Sequence, residues 1–208
     1  MMNKPVIVIG NGGHAAVLAE TLLQQEREIL GYTAPAKETN KFQLDYLGTD
    51  SVIASFKPED IELVLGIGTV NRSTVRKTLF EGFKELGYIF GKVVHDTAYI
   101  APSAKIGDGV QIMAGVILQS HVEIADNTII NTGTIIDHDT KICSHVHVAP
   151  GTNISGGVKI GEQTHVGTGT TIIQNIEIGR NCLIGAGSVV VKNIPHDKKV
   201  YGVPAKEV

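Results

Sequence analysis

The chain has 208 residues, with 18 Lys and Arg against 21 Asp and Glu, which gives a formal net charge of −3 at pH 7. Because the charges nearly balance and no basic face is interleaved with aromatic residues, nucleic acid is not an expected partner. No apolar run is long enough to insert into a membrane. The sequence enters its first apolar strand without a secretory signal, so the cytoplasm is the expected location. Two cysteines, Cys143 and Cys182, are too few for a disulfide framework, and neither has neighbours suited to bind a metal.

The first part of the chain begins with a strand, a glycine turn and a helix. The run 6–9 is apolar throughout, as in a buried parallel strand. The turn from Gly10 to Gly13 leads into a helix predicted from Ala15 to about Glu26. Such a helix start offers free backbone N–H groups and a positive dipole end to a phosphate. The full G-x-G-x-x-G spacing is absent because residue 15 is Ala, which disfavours a dinucleotide cofactor.

The elements that follow complete a small α/β domain. A strand is predicted for 28–32, a polar surface loop for 33–47, a short helix for 51–56 and a third strand for 61–68. A long helix is predicted for 71–86, with Val75, Leu79 and Leu86 buried and with Arg72, Arg76, Lys77 and Lys84 outside. The sequence therefore predicts two domains, 1–92 and 93–208.

The second domain repeats every six residues. Each unit starts with an aliphatic residue: Ile100, Ile106, Ile112, Leu118, Ile124, Ile130, Ile136, Ile142, Val148, Ile154, Ile160, Val166, Ile172, Ile178, Ile184 and Val190. A small or branched residue stands four positions after each one. Helical burial needs a recurrence near 3.6 residues, whereas six residues fit a short strand followed by a corner. Stacked units of this kind predict a parallel β-solenoid with one continuous aliphatic core.

Sixteen units in one register resemble the hexapeptide-repeat acyltransferases. The resemblance implies a left-handed parallel β-helix with three hexapeptides per coil. Parallel crossovers are generally right-handed, so the left hand follows from the resemblance and not from strand physics. The resemblance also implies a homotrimer with active sites between neighbouring subunits.

The whole chain is similar to the bacterial sugar-nucleotide acetyltransferases of the NeuD/PglD type. The matching segments are 12–15 (Gly-Gly-His-Ala), 66–68 (Gly-Ile-Gly), 130–139 and 202–206. The resemblance implies an α/β N-terminal Rossmann-like small domain that binds the nucleotide of a UDP- or TDP-amino sugar. An all-β left-handed parallel β-helix that binds acetyl-CoA follows it. The expected sugar-nucleotide contacts are Gly12, Gly13, His14, Gly68 and Asn131. The family's acidic residues after the second strand are replaced here by Tyr32-Thr33-Ala34.

His138 is the main catalytic candidate. It stands between Asp137 and Asp139, away from both inward positions, and should project from a corner of the coil. Acetyl transfer from a thioester requires a proton to leave the nucleophile, and a neutral imidazole suits that task. The resemblance assigns Asp139 to orient the ring. This position is commonly occupied by Glu, whose longer side chain reaches further than Asp. A solvated surface histidine between two acids is the alternative interpretation.

Acetyl-CoA is the expected co-substrate, and no metal is expected. The resemblance places His147 on acetyl-CoA and the backbones of Gly156, Thr168 and Ala186 along the coenzyme A channel. The run 155–157 also offers backbone N–H donors for the oxyanion of a tetrahedral intermediate. Corner geometry is an alternative reason for the glycines. Asn131 is equally well explained as a corner residue.

These features predict an acetyl-CoA-dependent N-acetyltransferase that acts directly on a UDP- or TDP-linked 4-amino-4,6-dideoxy sugar in bacterial glycan biosynthesis. An O-acetyltransferase acting on sialic acid or another sugar stays open, because amine and hydroxyl acceptors need the same base. A γ-carbonic-anhydrase-like enzyme would gather three His around Zn²⁺, and the expected H-x-x-x-x-H pair is missing. A non-catalytic scaffold is disfavoured by the presence of His138.

Overall fold

The computed structural model describes residues 4–69 and 74–208. Within them the chain forms two compact units. The first comprises residues 4–68 and 74–93, and the second comprises Thr69 and residues 94–208. The predicted start of the second helix at Asn71 and the outward position of Arg72 lie outside the described residues.

The first unit is built on a five-stranded parallel sheet. Its elements are β1 (Val6–Ile9), α1 (Gly13–Gln24), β2 (Ile29–Thr33), β3 (Tyr46–Gly48), a 3₁₀ helix (Asp50–Ser55), β4 (Glu62–Leu65), α2 (Val75–Glu85) and β5 (Ile89–Phe90). The strand order is β3-β2-β1-β4-β5, and all neighbouring pairs are parallel. Ile9 pairs with Leu65, so the loops that follow β1 and β4 leave the same edge of the sheet.

Two short strands depart from the prediction. β3 lies partly inside the stretch predicted as a surface loop, and β5 was not predicted at all. With three and two residues, they are too short for a hydrophobic period to reveal them. Thr33, predicted to begin that loop, ends β2 instead. It is fully buried, and its hydroxyl donates to Asp50 Oδ1 at 2.6 Å.

The buried face of α2 also differs from the prediction. Leu86, predicted inside, is 64% exposed, whereas Arg76, predicted outside, is 2% exposed. Arg76 Nη1 donates to the carbonyl oxygens of Leu65 and Ile67, both at 2.9 Å, and burial lowers the pKa of its guanidinium to about 9. Spacing alone chose the wrong face because it does not show that carbonyls at the end of β4 need a donor.

The second unit is a three-sided stack of coils. Its strands are β6 (Val93–Val94), β7 (Tyr99–Ile100), β8 (Lys105–Ile106), β9 (Gln111–Ile112), β10 (Ile117–Leu118), β11 (Glu123–Ile124), β12 (Ile129–Ile130), β13 (Ile135–Ile136), β14 (Lys141–Ile142), β15 (His147–Val148), β16 (Asn153–Ile154), β17 (Lys159–Ile160), β18 (His165–Val166), β19 (Thr171–Ile172), β20 (Glu177–Ile178), β21 (Leu183–Ile184), β22 (Val189–Val190), β23 (Lys199–Tyr201) and β24 (Lys206–Glu207).

These strands form three sheets, which we call faces I, II and III. Face I contains β7, β10, β13, β16, β19 and β22; face II contains β8, β11, β14, β17 and β20; face III contains β6, β9, β12, β15, β18, β21, β23 and β24. From β6 to β22, neighbours on a face are parallel and 18 residues apart, as in the pairing of Leu118 with Ile136. Three hexapeptides therefore complete one coil, as predicted for a left-handed parallel β-helix.

The aliphatic ladder forms the core of the second unit, which confirms the six-residue pattern. Its members from Ile112 to Ile184 are at most 3% exposed. Fully burying one such side chain contributes roughly 1.5–3 kcal/mol. Buried threonines occupy several of the other inward positions, and their hydroxyls donate to backbone carbonyls, as Thr164 does to Gly179 at 2.8 Å. A buried hydroxyl therefore costs little at these positions.

The corners determine which side chains project from the stack. At the corner between faces I and II, one turn residue in each of four successive coils has a positive φ: His121, Asp139, Gly157 and Asn175, between 58° and 70°. Gly, Asn and Asp tolerate this conformation better than branched residues. His138 precedes such a residue in the turn after β13, and its side chain is 61% exposed.

Candidate active site

His138 and Asp139 form a hydrogen-bonded pair at the corner between faces I and II. His138 Nδ1 lies 2.8 Å from Asp139 Oδ2. A carboxylate only accepts, so Nδ1 carries the proton and Nε2 keeps a lone pair available to accept another. Asp137 Oδ1 accepts a hydrogen bond from the backbone N–H of His138 at 2.7 Å. Asp139 is therefore the carboxylate that bonds to the ring. The shorter reach of Asp is sufficient because both residues belong to one turn.

The two carboxylates raise the pKa of the His138 imidazole above its ordinary value. The hydrogen bond to Asp139 is the largest cause, and the negative charge of Asp137 adds to it, while partial desolvation opposes both. A raised pKa makes the neutral ring a stronger base. It also means that the ring stays protonated up to a higher pH.

Gly156 lies against the His138 ring from the next coil. A Cβ atom built on Gly156 would lie 2.6 Å from the ring's Cε1 and 2.7 Å from its Nε2. Any side chain at this position would therefore displace the imidazole. The corner itself requires a positive φ only at the following residue, Gly157. The sequence predicted a coenzyme A contact for Gly156 but gave no signal for this contact with His138.

The backbone N–H groups of residues 155–157 differ in whether they have a hydrogen-bond acceptor. Ser155 N–H donates to the carbonyl oxygen of Ile172 at 3.0 Å, and Gly157 N–H donates to that of His138 at 2.8 Å. Within residues 4–69 and 74–208, Gly156 N–H has no protein acceptor. Of the three donors predicted in the run 155–157, Gly156 alone is free to meet an oxyanion.

A second cluster is centred on His147, in β15 on face III. Its Nε2 is 3.3 Å from Asn131 Nδ2, and its Nδ1 is 2.9 Å from the carbonyl oxygen and 3.1 Å from Oγ1 of Thr69. The ring of His165, one coil further, packs edge to face at a centroid distance of 5.0 Å. Burial lowers the pKa of His165, which favours its neutral form. The sequence gave no signal for Thr69, which is 78 residues from His147.

Thr168 and Ala186 are exposed on adjacent coils at the corner between faces III and I. The N–H of Gly187 donates to the carbonyl oxygen of Thr168 at 2.8 Å, which holds the two turns in register. Asn131 enters the same corner two coils earlier. These residues follow one edge of the stack.

One copy of the second unit does not bring the two clusters together. His138 projects from the corner between faces I and II. His147 points outward from face III, the side opposite that corner, and the aliphatic core lies between them. Face I separates His138 from Thr168 and Ala186. Of the predicted acetyl-CoA residues, only Gly156 lies beside His138 in one chain. His147, Thr168 and Ala186 lie on other sides of the stack.

The remaining predicted residues lie at one edge of the sheet in the first unit. Gly12 is the N-cap of α1 and provides no side-chain cap, and Gly13 and His14 begin the helix. A Cβ atom on Gly68 would lie 3.6 Å from His14 Cβ, so the loop that follows β4 approaches the first turn of α1 here. The structure therefore groups these four residues at the start of α1.

A cavity of about 110 Å³ opens beside the start of α1. Its lining includes Asn11, Gly12 and Gly13 from the first loop and residues 39–42 from the loop after β2. Asn40 Nδ2 donates to Asn11 Oδ1 at 2.8 Å and joins the two loops. The sequence assigned residues 39–42 to a polar loop without a motif, so their position beside the glycine turn was not foreseen.

The described ranges contain neither a cluster suited to a metal ion nor a helix suited to a bilayer. Among residues 4–69 and 74–208, no three His, Cys, Asp or Glu side chains are arranged to share a metal ion. In the same ranges, no helix has the length and apolar character needed to cross a bilayer.

Two family models match the chain. The PglD N-terminal domain matches residues 5–83, and the bacterial transferase hexapeptide model (six repeats) matches residues 103–138 and 157–192. No curated protein matches the chain.

Several solved structures are similar over their full length. The acetyltransferase domain of PglB from Neisseria gonorrhoeae, in complex with acetyl coenzyme A, is 32% identical with a TM-score of 0.93, and the match covers 100% of each chain. PerB from Caulobacter crescentus, in complex with CoA and GDP-perosamine, is 31% identical with a TM-score of 0.90, covering 98% of this chain and 97% of that one. WeeI from Acinetobacter baumannii is 23% identical with a TM-score of 0.87 and shares the fold.

Both domains, the repeat register and the identity over the whole length point the same way. The chain belongs to the hexapeptide-repeat sugar acetyltransferases that carry a PglD-type N-terminal domain.

Proposed function

We propose that the chain is an acetyl-CoA-dependent N-acetyltransferase that acylates the amine of a UDP- or TDP-linked 4-amino-4,6-dideoxy sugar in the cytoplasm, during bacterial glycan biosynthesis. The observation that carries the proposal is the His138–Asp139 pair, with its free Nε2 lone pair at an exposed corner. Relatives that bind acetyl coenzyme A, or CoA with GDP-perosamine, support the two co-substrates.

In the proposed reaction, His138 is the general base. The sugar amine attacks the thioester carbonyl, its nitrogen forms a bond to that carbon, and Nε2 of His138 takes the proton that the nitrogen loses. Asp139 holds the tautomer and stabilises the imidazolium that results. The C–S bond then breaks, and the proton passes to the departing thiolate of coenzyme A. The enzyme forms no covalent intermediate in this scheme.

Gly156 supports the same step in two ways. Its missing side chain leaves room for the His138 ring, and its N–H has no acceptor among the described residues. A preorganised N–H donor that meets the developing oxyanion is typically worth about 3 kcal/mol of the barrier. We therefore assign Gly156 to the oxyanion in addition to the coenzyme A channel.

The other predicted residues retain their proposed roles. His147, Thr168 and Ala186 are assigned to acetyl-CoA. Gly12, Gly13, His14, Gly68 and Asn131 are assigned to the nucleotide sugar. The start of α1, which has no side-chain cap and lies next to a cavity, favours an anionic group such as a diphosphate there.

We further propose that the active protein is a homotrimer with each active site shared between two subunits. This follows from the separation of His138 and His147 on opposite sides of one stack. Face I also presents apolar outward residues, with Tyr99 and Ile135 55% and 40% exposed. Face II instead presents paired charges, as between Lys159 and Glu177 at 2.7 Å. Apolar side chains on face I suit burial against another copy.

The test is an acetyl-CoA consumption assay with UDP-, TDP- and GDP-linked 4-amino sugars and matched 4-hydroxy sugars. We expect turnover with an amino sugar, and His138→Ala should lower kcat about 10²- to 10⁴-fold. The control is His121→Ala, which removes an imidazole from the same corner. Undiminished turnover by His138→Ala would remove the proposed base. Turnover confined to hydroxyl acceptors would replace N-acetylation by O-acetylation.

A further inference from the structure

The hydrogen bonds around His147 fix the polarity of its ring, beginning with Asn131. Asn131 Oδ1 accepts the backbone N–H of Thr132 at 2.8 Å, which identifies the other amide atom as the nitrogen. That nitrogen faces His147 Nε2 at 3.3 Å. An amide nitrogen only donates, so Nε2 of His147 must be unprotonated to receive it.

Thr69 imposes the same polarity from the opposite side of the ring. Its carbonyl oxygen, 2.9 Å from His147 Nδ1, can only accept a hydrogen bond. The proton must therefore be on Nδ1. Thr69 Oγ1, at 3.1 Å, provides a second oxygen for the same N–H. Two independent partners thus require a neutral ring with its proton on Nδ1.

An imidazolium does not fit this arrangement. A proton on Nε2 would point at the Asn131 amide, where two donors would meet without an acceptor. The third neighbour, His165, packs its ring edge to face with that of His147 and offers no counter-charge, because burial favours its neutral form. None of these three neighbours stabilises a charged His147.

We infer that Thr69 is a positioning residue for His147: it holds the Nδ1–H and makes Nε2 a hydrogen-bond acceptor on the side of the ring that faces Asn131. The partner of Nε2 is then an N–H donor, the Asn131 amide in the free protein or an amide of the pantetheine arm in the complex, and not a carbonyl oxygen. The ligand part of this inference rests on the proposed function, whereas the ring polarity does not.

Ring polarity is measured directly by ¹⁵N NMR of the histidine-labelled full-length protein, with His147→Ala used to assign the signal. At neutral pH we expect the chemical shifts of a neutral ring protonated on Nδ1 only. In Asn131→Asp, a carboxylate replaces the donor, so Nε2 should become protonated. A ring protonated on Nε2 in the wild type would overturn the inference, whatever the enzymatic activity.

Kinetics test whether Thr69 acts through His147. Thr69→Val retains the carbonyl and removes Oγ1, so KM for acetyl-CoA should rise roughly two- to tenfold, the worth of one hydrogen bond, with little change in kcat. Thr74→Val, at the exposed N-cap of α2, is the matched control and should change neither constant. In a His147→Ala background, Thr69→Val should have no further effect on KM. An equal effect in both backgrounds would show that Thr69 does not act through His147.

An inactive wild type across all acceptors would instead contradict the proposed function and leave the NMR result standing. The two failures are therefore distinguishable.

Discussion

His138 shows how one turn can tune a base. The residue after it has the positive φ that the corner requires, and this places the Asp139 carboxylate 2.8 Å from its Nδ1. The residue before it anchors the backbone N–H and adds negative charge. Local chain geometry alone therefore produces both the tautomer and the raised pKa of His138, without burying the ring.

The first prediction concerns pH. Because the base works only when neutral, kcat/KM should fall as the pH drops through the pKa of His138, which lies above the ordinary value of 6.5. Asp139→Asn removes the largest cause of that raised pKa. The acidic limb of the profile should therefore move to lower pH, and kcat should fall by about tenfold or more because the tautomer is no longer fixed.

The control for this profile is Asp126→Asn, at the corner between faces II and III. Its Oδ1 accepts the N–H of Asp108 at 2.8 Å, a bond that the amide oxygen of Asn preserves. This variant should retain the wild-type profile. If Asp139→Asn also retains it, Asp139 does not tune His138.

A second prediction concerns Gly156. In Gly156→Ala the added methyl must displace the His138 ring, since it would lie 2.6 Å from Cε1. We expect kcat to fall at least about tenfold without loss of the fold, because the turn's positive φ lies at the next residue. Gly82→Ala, in α2 with nothing within 4 Å, is the matched control. It should keep full activity and increase stability by about 0.5–1 kcal/mol. Full activity of Gly156→Ala would contradict the contact.

At the scale of elements, the side chains of the two isoleucines in β13 point to opposite sides of the strand. Ile136 points inward and is fully buried, whereas Ile135 points outward on face I and is 40% exposed. Ile136→Ala should destabilise the fold by about 2–5 kcal/mol through the cavity it leaves. Ile135→Ala should leave the fold intact and weaken subunit assembly. Urea unfolding and analytical ultracentrifugation measure the two effects, and a similar loss of folding stability in both variants would contradict the assignment of faces.

The sequence predicted the second unit far better than the first. Each six-residue unit buries side chains at the same two inward positions. Sixteen units therefore repeat the same information, and a wrong register would conflict with all of them. The first unit contains each element once, and short strands such as β3 have no period to detect. Arg76 was assigned to the wrong face because its partners, two backbone carbonyls, have no signature in the sequence.

The candidate site was predictable to the same uneven extent. His138, Asp139 and Asn131 stand in a motif within the repeat, and their separation in the chain gives their place in the coil. Thr69 and the loop 39–42 reach their neighbours only through tertiary folding, across 78 residues in the case of Thr69. The contact of Gly156 with the His138 ring depends on an 18-residue stacking distance that a six-residue pattern does not by itself reveal.

At the scale of the whole molecule, the proposed active site requires more than one copy of the chain. His138 and His147 lie on opposite sides of the core, so a site that uses both must take them from different subunits. A closed ring of three identical subunits would provide three such sites. Two impaired variants, one lacking each histidine, should then complement each other within mixed trimers.

The most direct measurement is the activity of trimers assembled from equal amounts of His138→Ala and His147→Ala, by co-expression or by joint unfolding and refolding. Each proposed site takes His138 from one subunit and His147 from the neighbouring subunit. With random mixing, half of the sites have an intact His138, and half of those also have an intact His147. About a quarter of the wild-type activity should therefore return. Mixed trimers no more active than the separate variants would contradict the shared site.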